Sequence, residues 1–529
     1  MQRYDAIIIG AGHNGLVAAA YLAKAGQKVI VLERRPIIGG AAVSEELYPG
    51  FTYSSCSYVC SLLRPEIMRD LDLPRHGLQV IPYETTACPT HRGEPLILYH
   101  DPDRNRRSIA RHSLRDAEAY DQYSLEIRRQ CRFIKPLLMM TPPDPTSFKW
   151  GDIEGLLRIG RAFGQMGERQ MYDILRFWTM SIADFLDEYF ESEIVKALNA
   201  GSSIIGTALG PRSPGSAYVL LHHYMGEVDG EIGAWGFARG GMGSVSKAIA
   251  GAAREAGAEI RTEAEVTAVI VKGGKAAGVA LANGDEIYGT AVVSNLDPKR
   301  TFLKILPRQH LPDELYEQAE RFKIRGSSGK LNIALDGLPR FNGLPDEALC
   351  GAIEIGDSLD YLERAFDDYK YGRWSRRPFL DIVIPSTVDP TMAPPGKHYM
   401  SVFVQYVPYK LADGPWTDEK RQAFGDTVID TIAEHCPNFR DLILHCQVRT
   451  PWDLENEVGL TEGNIFHGEL TLDQLLFNRP FPGVAQYRTP VRNFYLCGSG
   501  THPGGGVMGA PGANAAREIL KDFKARVLA

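Results

Sequence analysis

The run YDAIIIGAGHNGLVAAAYLAKAGQKVIVLE, residues 4–33, constrains the fold of this chain more than any other stretch. An apolar strand over 6–9 enters a turn in which Gly10, Gly12 and Gly15 stand in GxGxxG spacing. A helix follows over 14–25, Gly26 ends it, and a second strand over 28–32 closes on Glu33. Gly10 permits the tight turn, Gly12 lets backbone approach a pyrophosphate, and Gly15 lets the helix pack closely on the strand. The N–H groups at the helix start and the helix dipole favour negative charge there, and Glu33 can accept a hydrogen bond from a ribose hydroxyl. Glycine turns are common on their own. This one defines a dinucleotide site because the rest is present too: Ala19 and Leu22 on the helix, Val29 inside the second strand, and the acid at its tip.

At 529 residues the chain exceeds what one core organises, so two domains are expected. Its 44% hydrophobic and 23% charged residues are those of a globular protein, and a net charge of -7 argues against nucleic acid as a partner. Eight cysteines suggest no disulfide framework, and their spacing carries no zinc signature, so no metal is expected. The first strand begins directly after Met1, Gln2 and Arg3, leaving no room for a signal or transit peptide. No apolar run reaches the roughly eighteen residues that cross a bilayer. The expectation is a reduced, soluble, cytoplasmic protein.

Beyond the second strand, Arg34 and Arg35 precede a glycine pair, Gly39 and Gly40, that lets backbone pass close to a bound group. In FTYSSCSYVCSLL, Cys56 and Cys60 are too far apart for a CxxC pair and read as buried thiols. Residues 77–112 read as short strands, LQVIPYE, PLILYHD and SIARH, and 113–199 as helical, broken by Pro142, Pro143 and Pro145. RFIKPLLMM, residues 132–140, is apolar with basic flanks, a pattern of either a peripheral membrane contact or, the favoured reading, a core helix. From Gly230 a glycine-rich turn leads into a helix to about 256 and then a meander with a hairpin turn at Asn283-Gly284, ending in TAVVSN. Residues 300–445 mix strands (KLNIALD, LDIVIPS, HYMSVFVQYV) with helices. The final NFYLCGSGTHPGGGVMGAPGANAAREILKDFKA is again strand, glycine turn and helix, but Pro503 stands where a second GxGxxG would need its third glycine.

Taken together, the N-terminal motif, the glycine pair, AWGFARGGMGSVSKAIA, DPTMAPPGKH, GNIFHGELTLDQLLFNRP and LCGSGTHPGGGVMGAPGANAA resemble the FAD-dependent oxidoreductases of the phytoene desaturase and amine oxidase superfamily, including carotenoid ketolases and desaturases. The resemblance spans nearly the whole chain. It implies an α/β Rossmann-type FAD-binding domain of the glutathione-reductase/amine-oxidase kind, with an inserted α+β substrate domain of mixed sheet and helices. The FAD-binding parts would be 1–80, 229–299 and 451–529; the substrate domain would take 81–228, with a helical cap, and 300–450. Gly10, Gly12, Gly15, Glu33, Arg34, Gly39 and Gly40 take the family's FAD positions. Val266 would hold the adenine through its backbone, and the C-terminal turn, with Gly498, Gly500 and Gly509, would line the flavin ring. Ala41 stands where many members carry arginine, so no arginine contact to the pyrophosphate is expected there.

The implied activity is hydride transfer to flavin N5 from a hydrophobic, isoprenoid-like small molecule, as a dehydrogenase, desaturase or oxidase, with the redox chemistry supplied by FAD. With no second dinucleotide motif and no redox cysteine pair, the electrons are expected to leave to oxygen, a quinone or another diffusible acceptor. His467 in GNIFHGE and His502 in THPGGG are the candidate acids or bases, with Tyr406, His222 and His223 behind them. The alternatives are a carotenoid ketolase that adds oxygen and a flavoprotein serving mainly to bind partners. The residues leave oligomeric state open.

Overall fold

The computed structural model describes residues 3–91, 93–165 and 167–525. Strand β1 (Tyr4–Ile9), helix α1 (His13–Lys24) and strand β2 (Val29–Leu32) form the expected βαβ unit, with β1 parallel to β2. β1 is also parallel to strand Glu286–Ser294, which pairs in turn with Phe494–Leu496, while Glu259–Arg261 lies outside β2. A strand covered on both faces must be apolar on both, and Ile7, Ile8 and Ile9 are all buried. The first half of Glu286–Ser294 turns back through Asn283-Gly284 onto Lys275–Leu281 and Val266–Lys272, giving the antiparallel meander. One sheet is therefore woven from three distant stretches of chain.

Helix α1 is built of small residues, and this lets two further helices, Gly243–Glu255 and Ala510–Lys524, lie close against it. The closest approaches fall at glycines. A Cβ at Gly15 would overlap the Gly10 carbonyl oxygen, and one at Gly512 would overlap the Asn14 carbonyl oxygen.

The second sheet runs in the order Ile443–Arg449, Ser328–Leu335, His398–Gln405, Phe379–Val383, Ala352–Ile355, Thr85–Cys88 and Leu96–Tyr99. Its strands come from the two stretches assigned to the inserted domain, joined by a parallel pairing between Ala352–Ile355 and Thr85–Cys88. The helical region, from Leu114–Leu138 to Ser216–Tyr224, packs its own apolar core.

One local expectation changes and one is met. SIARH is not a strand: it lies largely in helix Pro102–Ala110, which Asp101 starts by accepting from the Arg104 N–H, with Pro102 at the first helical position. RFIKPLLMM forms the end of helix Leu114–Leu138, and Phe133, Ile134, Leu137 and Leu138 are all buried, as a core helix requires. The exposed apolar side chains sit further on: Phe148 is 93% exposed, Trp150 74% and Leu157 50%, beside or on helix Trp150–Gly164. Among the described residues no helix is long and apolar enough to cross a membrane.

Candidate functional site

A cavity of ≈ 430 Å³ is lined from both sheets. On the nucleotide side its wall includes Gly10, Gly12, Glu33, Arg34, Gly40 and Val266. Gly10 has φ +93°, which a side chain would strain. Gly12 caps α1 without a side chain, and the first-turn N–H groups of a helix lack intrahelical partners, so they are available to a phosphate. Gly39 donates to the Ala11 carbonyl at 2.9 Å and carries the chain behind the turn, leaving Gly40 as the member of the pair that reaches the wall. Glu33 is 7% exposed and fixed from both oxygens: Ala11 N–H donates to Oε2 at 2.8 Å and Arg35 N–H to Oε1 at 3.0 Å. Arg34 donates to the carbonyl oxygens of Asn456 and Glu457, and burial pushes its guanidinium down from the ordinary arginine range.

The C-terminal turn meets α1 through Asn14, which donates to Ser499 Oγ at 3.0 Å. Here the placement differs from the sequence expectation. Gly498, Gly500 and Gly509 are absent from the cavity wall, and Ser499, Gly506 and Val507 stand there instead. The three glycines make the turn buildable: a Cβ at Gly498 would press on the Asn295 carbonyl at 2.7 Å, one at Gly500 would overlap Pro298, and Gly509 caps helix Ala510–Lys524.

His467 does line the cavity, with φ +55° and Nδ1 buried without a partner. Asn464 accepts from the N–H groups of Phe466 and Gly468 on either side of it. Burial holds the imidazole below its ordinary range, opposed by Asp297. His502 is placed elsewhere: it is 3% exposed, its Nε2 lies 2.8 Å from the Leu137 carbonyl, and it is absent from the cavity wall. Its candidacy as an acid or base is therefore withdrawn, since it fastens the C-terminal turn to a helix. Tyr406 donates to the Leu209 carbonyl at 2.6 Å and His222 contacts the Gly505 carbonyl at 2.9 Å, both behind the wall; His223 reaches it.

Three cavity residues escaped the sequence reading. His13, inside the glycine motif, faces the cavity with Nε2 unpartnered, and burial lowers its pKa to about 4. Cys56 is half-buried on the wall rather than a core thiol, while Cys60 is buried and pushed up to about 12. Lys330 is 3% exposed in strand Ser328–Leu335, donates to the carbonyls of Ser54 and Cys56, and is lowered to about 7 by burial. An unfolded lysine binds its proton up to its ordinary pKa near 10.4, so between about 7 and 10 the unfolded chain holds more protons than the folded one. Stability from this group rises with pH across that window and sits at its lowest below it. Lys330→Met is expected to flatten that rise in denaturant melts taken between pH 7 and 10; an unchanged slope would refute it.

A Rossmann-type sheet with a glycine turn at its switch point, facing a mixed sheet across a cavity, is an arrangement of the dinucleotide-dependent oxidoreductase class. The comparisons make this specific. A family model for a flavin containing amine oxidoreductase matches residues 180–520, and one for an NAD(P)-binding Rossmann-like domain matches 8–71. The chain belongs to the flavin-containing amine oxidoreductase family and is an FAD-dependent oxidoreductase. It is 42% identical to mouse pyridine nucleotide-disulfide oxidoreductase domain-containing protein 2, over 98% of this chain and 94% of that protein. It is 27% identical to a limonene dehydrogenase subunit of Castellaniella defragrans, over 99% of this chain and 95% of that one. The fold matches that of a Methanosarcina mazei oxidoreductase crystal structure with a TM-score of 0.59 at 18% identity, covering 98% of this chain and 100% of that one.

The residues present fit FAD. The first turn of α1 has no side-chain cap, Glu33 is held at the end of β2, and the unpartnered His13 Nε2 and His467 Nδ1 stand on the wall where polar groups of a ligand would meet them. Bound FAD supplies a hydride acceptor at N5; the chain supplies the binding, the exclusion of water and any proton transfer.

Proposed function

We propose that the protein oxidises a hydrophobic, isoprenoid-like small molecule by hydride transfer to FAD and passes the electrons to an acceptor of the oxygen or quinone class. In this reading the pyrophosphate lies over the turn from Gly10 to Gly12, the ribose meets Glu33 and the adenine meets Val266. His467 is the acid–base candidate. The observation that carries the substrate class is the wall away from the nucleotide sheet, where Val59, Ile205, Trp235, Phe403, Ile465 and Phe466 present apolar and aromatic surface. Glu33 and Glu265 are the only carboxylates among the described lining residues, and both belong to the nucleotide side, so a cationic amine finds no partner on the substrate side. The relative named as a limonene dehydrogenase supports the same class.

The test is anaerobic flavin bleaching by a panel of terpenoid hydrocarbons, terpenoid alcohols and short alkylamines. Bleaching by terpenoids and not by alkylamines is expected; bleaching by alkylamines alone would overturn the substrate class. A hydrophobic substrate also needs a route from a membrane, and we assign that contact to Phe148, Trp150 and Leu157 rather than to 132–140. Liposome flotation is expected to recover the wild type and to lose the Phe148→Glu/Trp150→Glu variant. Equal recovery of the two would remove this surface.

A further inference from the structure

Behind the substrate-side wall, Ala352–Ile355 and Phe379–Val383 pair antiparallel with Glu354 directly opposite Asp381. Both carboxyls are 7% exposed, on strands that are otherwise apolar. Two carboxylates in register inside a core cannot both stay ionised, because burial and like charge each favour the neutral form. No lysine, arginine or histidine forms an ion pair with either among the described residues. Lys330, the nearby cation, spends its bonds on the Ser54 and Cys56 carbonyls. Asp381 Oδ1 and Glu354 Oε2 are buried without a partner.

One bond leads out of this pair. The Tyr58 hydroxyl donates to Asp381 Oδ2 at 2.5 Å, and Tyr58 is itself a cavity-wall residue, stacked on Phe403 and lying under Lys330 Nζ at 5.3 Å. The other titratable groups facing the pair are the phenols of Tyr83 and Tyr224 and the thiol of Cys88, all neutral at ordinary pH because burial raises them. Burial and Asp381 push Glu354 well above the carboxylate range. Burial lifts Asp381 to about 6, with the Tyr58 bond pulling the other way.

We propose that Asp381 and Glu354 share a single proton and, through the Tyr58 hydroxyl and in place of His467, act as the proton acceptor for oxidation in the cavity. The catalytic part rests on the hydride-transfer reading above. In the resting state Glu354 is the acid and Asp381 the carboxylate. Oxidation of a terpenoid alcohol breaks a C–H bond, whose hydrogen leaves with its electron pair to FAD, and an O–H bond, whose hydrogen leaves as a proton. That proton goes to the Tyr58 oxygen while the Tyr58 proton moves to Asp381 Oδ2, leaving both carboxyls neutral. Once product has gone, Tyr58 releases a proton to water entering the cavity as it takes the one held by Asp381, which restores the phenol and the carboxylate. Tyr58 touches the cavity; Asp381 and Glu354 act through it.

Infrared spectroscopy of the resting holoprotein tests the pair without reference to turnover. A protonated-carboxyl C=O band that shifts in D2O is expected at neutral pH and is lost in Glu354→Gln. A second such band grows as pH falls through about 6 and is lost in Asp381→Asn; in Tyr58→Phe its midpoint moves upward, because the phenol no longer stabilises the carboxylate. Absence of the first band, or a second midpoint indifferent to Tyr58→Phe, would overturn the relay. Flavin bleaching is read separately: no bleaching by any substrate refutes the oxidoreductive reading, while the infrared bands alone decide whether the proton-holding pair exists.

Discussion

Gly15→Val is expected to yield protein without bound flavin. A Cβ at this position overlaps the Gly10 carbonyl oxygen and comes within 3.1 Å of the Asn295 side-chain amide. The first is backbone of the turn itself, and the Asn295 Nδ2 donates to that same carbonyl, so neither neighbour has room to retreat. Overpacking costs about 1–3 kcal/mol where side chains can adjust; where backbone must move, the turn is displaced and with it the N–H groups that would meet the pyrophosphate. Absorbance of the purified variant checks this, and normal flavin content would sink it. Gly160→Ala is the control. That glycine is in helix Trp150–Gly164 with nothing within 4 Å of a built Cβ, so the change should raise stability by about 0.5–1 kcal/mol through helix propensity.

Arg479→Met is expected to destabilise the protein by about 3–5 kcal/mol, the range for removing one partner from a buried charged network. The Arg479 side chain is fully buried and donates to six carbonyl oxygens, those of Phe466, Gly468, Glu469, Gln474, Ser499 and Thr501. These belong to two loops, one carrying His467 and the other the C-terminal turn, so a single guanidinium staples both cavity loops together. Methionine fills similar volume and leaves the carbonyls bare, each at the cost of an unmade buried hydrogen bond. Arg479→Lys should recover only part of the loss, because an ammonium cannot reproduce the planar fork. The measurement is a denaturant midpoint at unchanged slope, and a loss under about 1 kcal/mol would refute the staple.

The nucleotide half was legible because its requirements are local: a turn needing Gly10, a close approach needing Gly15 and an acid at the end of β2 all lie within one βαβ unit. The C-terminal turn was legible as an element but not in its contacts. Seven glycines announce a crowded turn without saying which peptides face the cavity, and Ser499, Gly506 and Val507 do. His502 failed for a related reason, since whether an imidazole meets a ligand or the Leu137 carbonyl depends on a helix more than three hundred residues away. The inserted domain did carry a signal that went unused. Lys330 in KLNIAL, Glu354 in AIEI and Asp381 in FLDIV are each a charge inside a fully buried strand, where a charge persists only with a partner or a task.

The weaving of the first sheet sets when this protein can become active. β1 lies between β2 and Glu286–Ser294, and that strand is closed on its far side by Phe494–Leu496. Helix Ala510–Lys524, one of the two helices packed on α1, is the last described element of the chain. A ribosome making this protein therefore releases the glycine motif well before the segment that completes its surroundings, with the whole inserted domain between them. The βαβ unit must wait through the synthesis of the whole inserted domain before its surroundings are complete, so cofactor capture follows synthesis of the C-terminal turn.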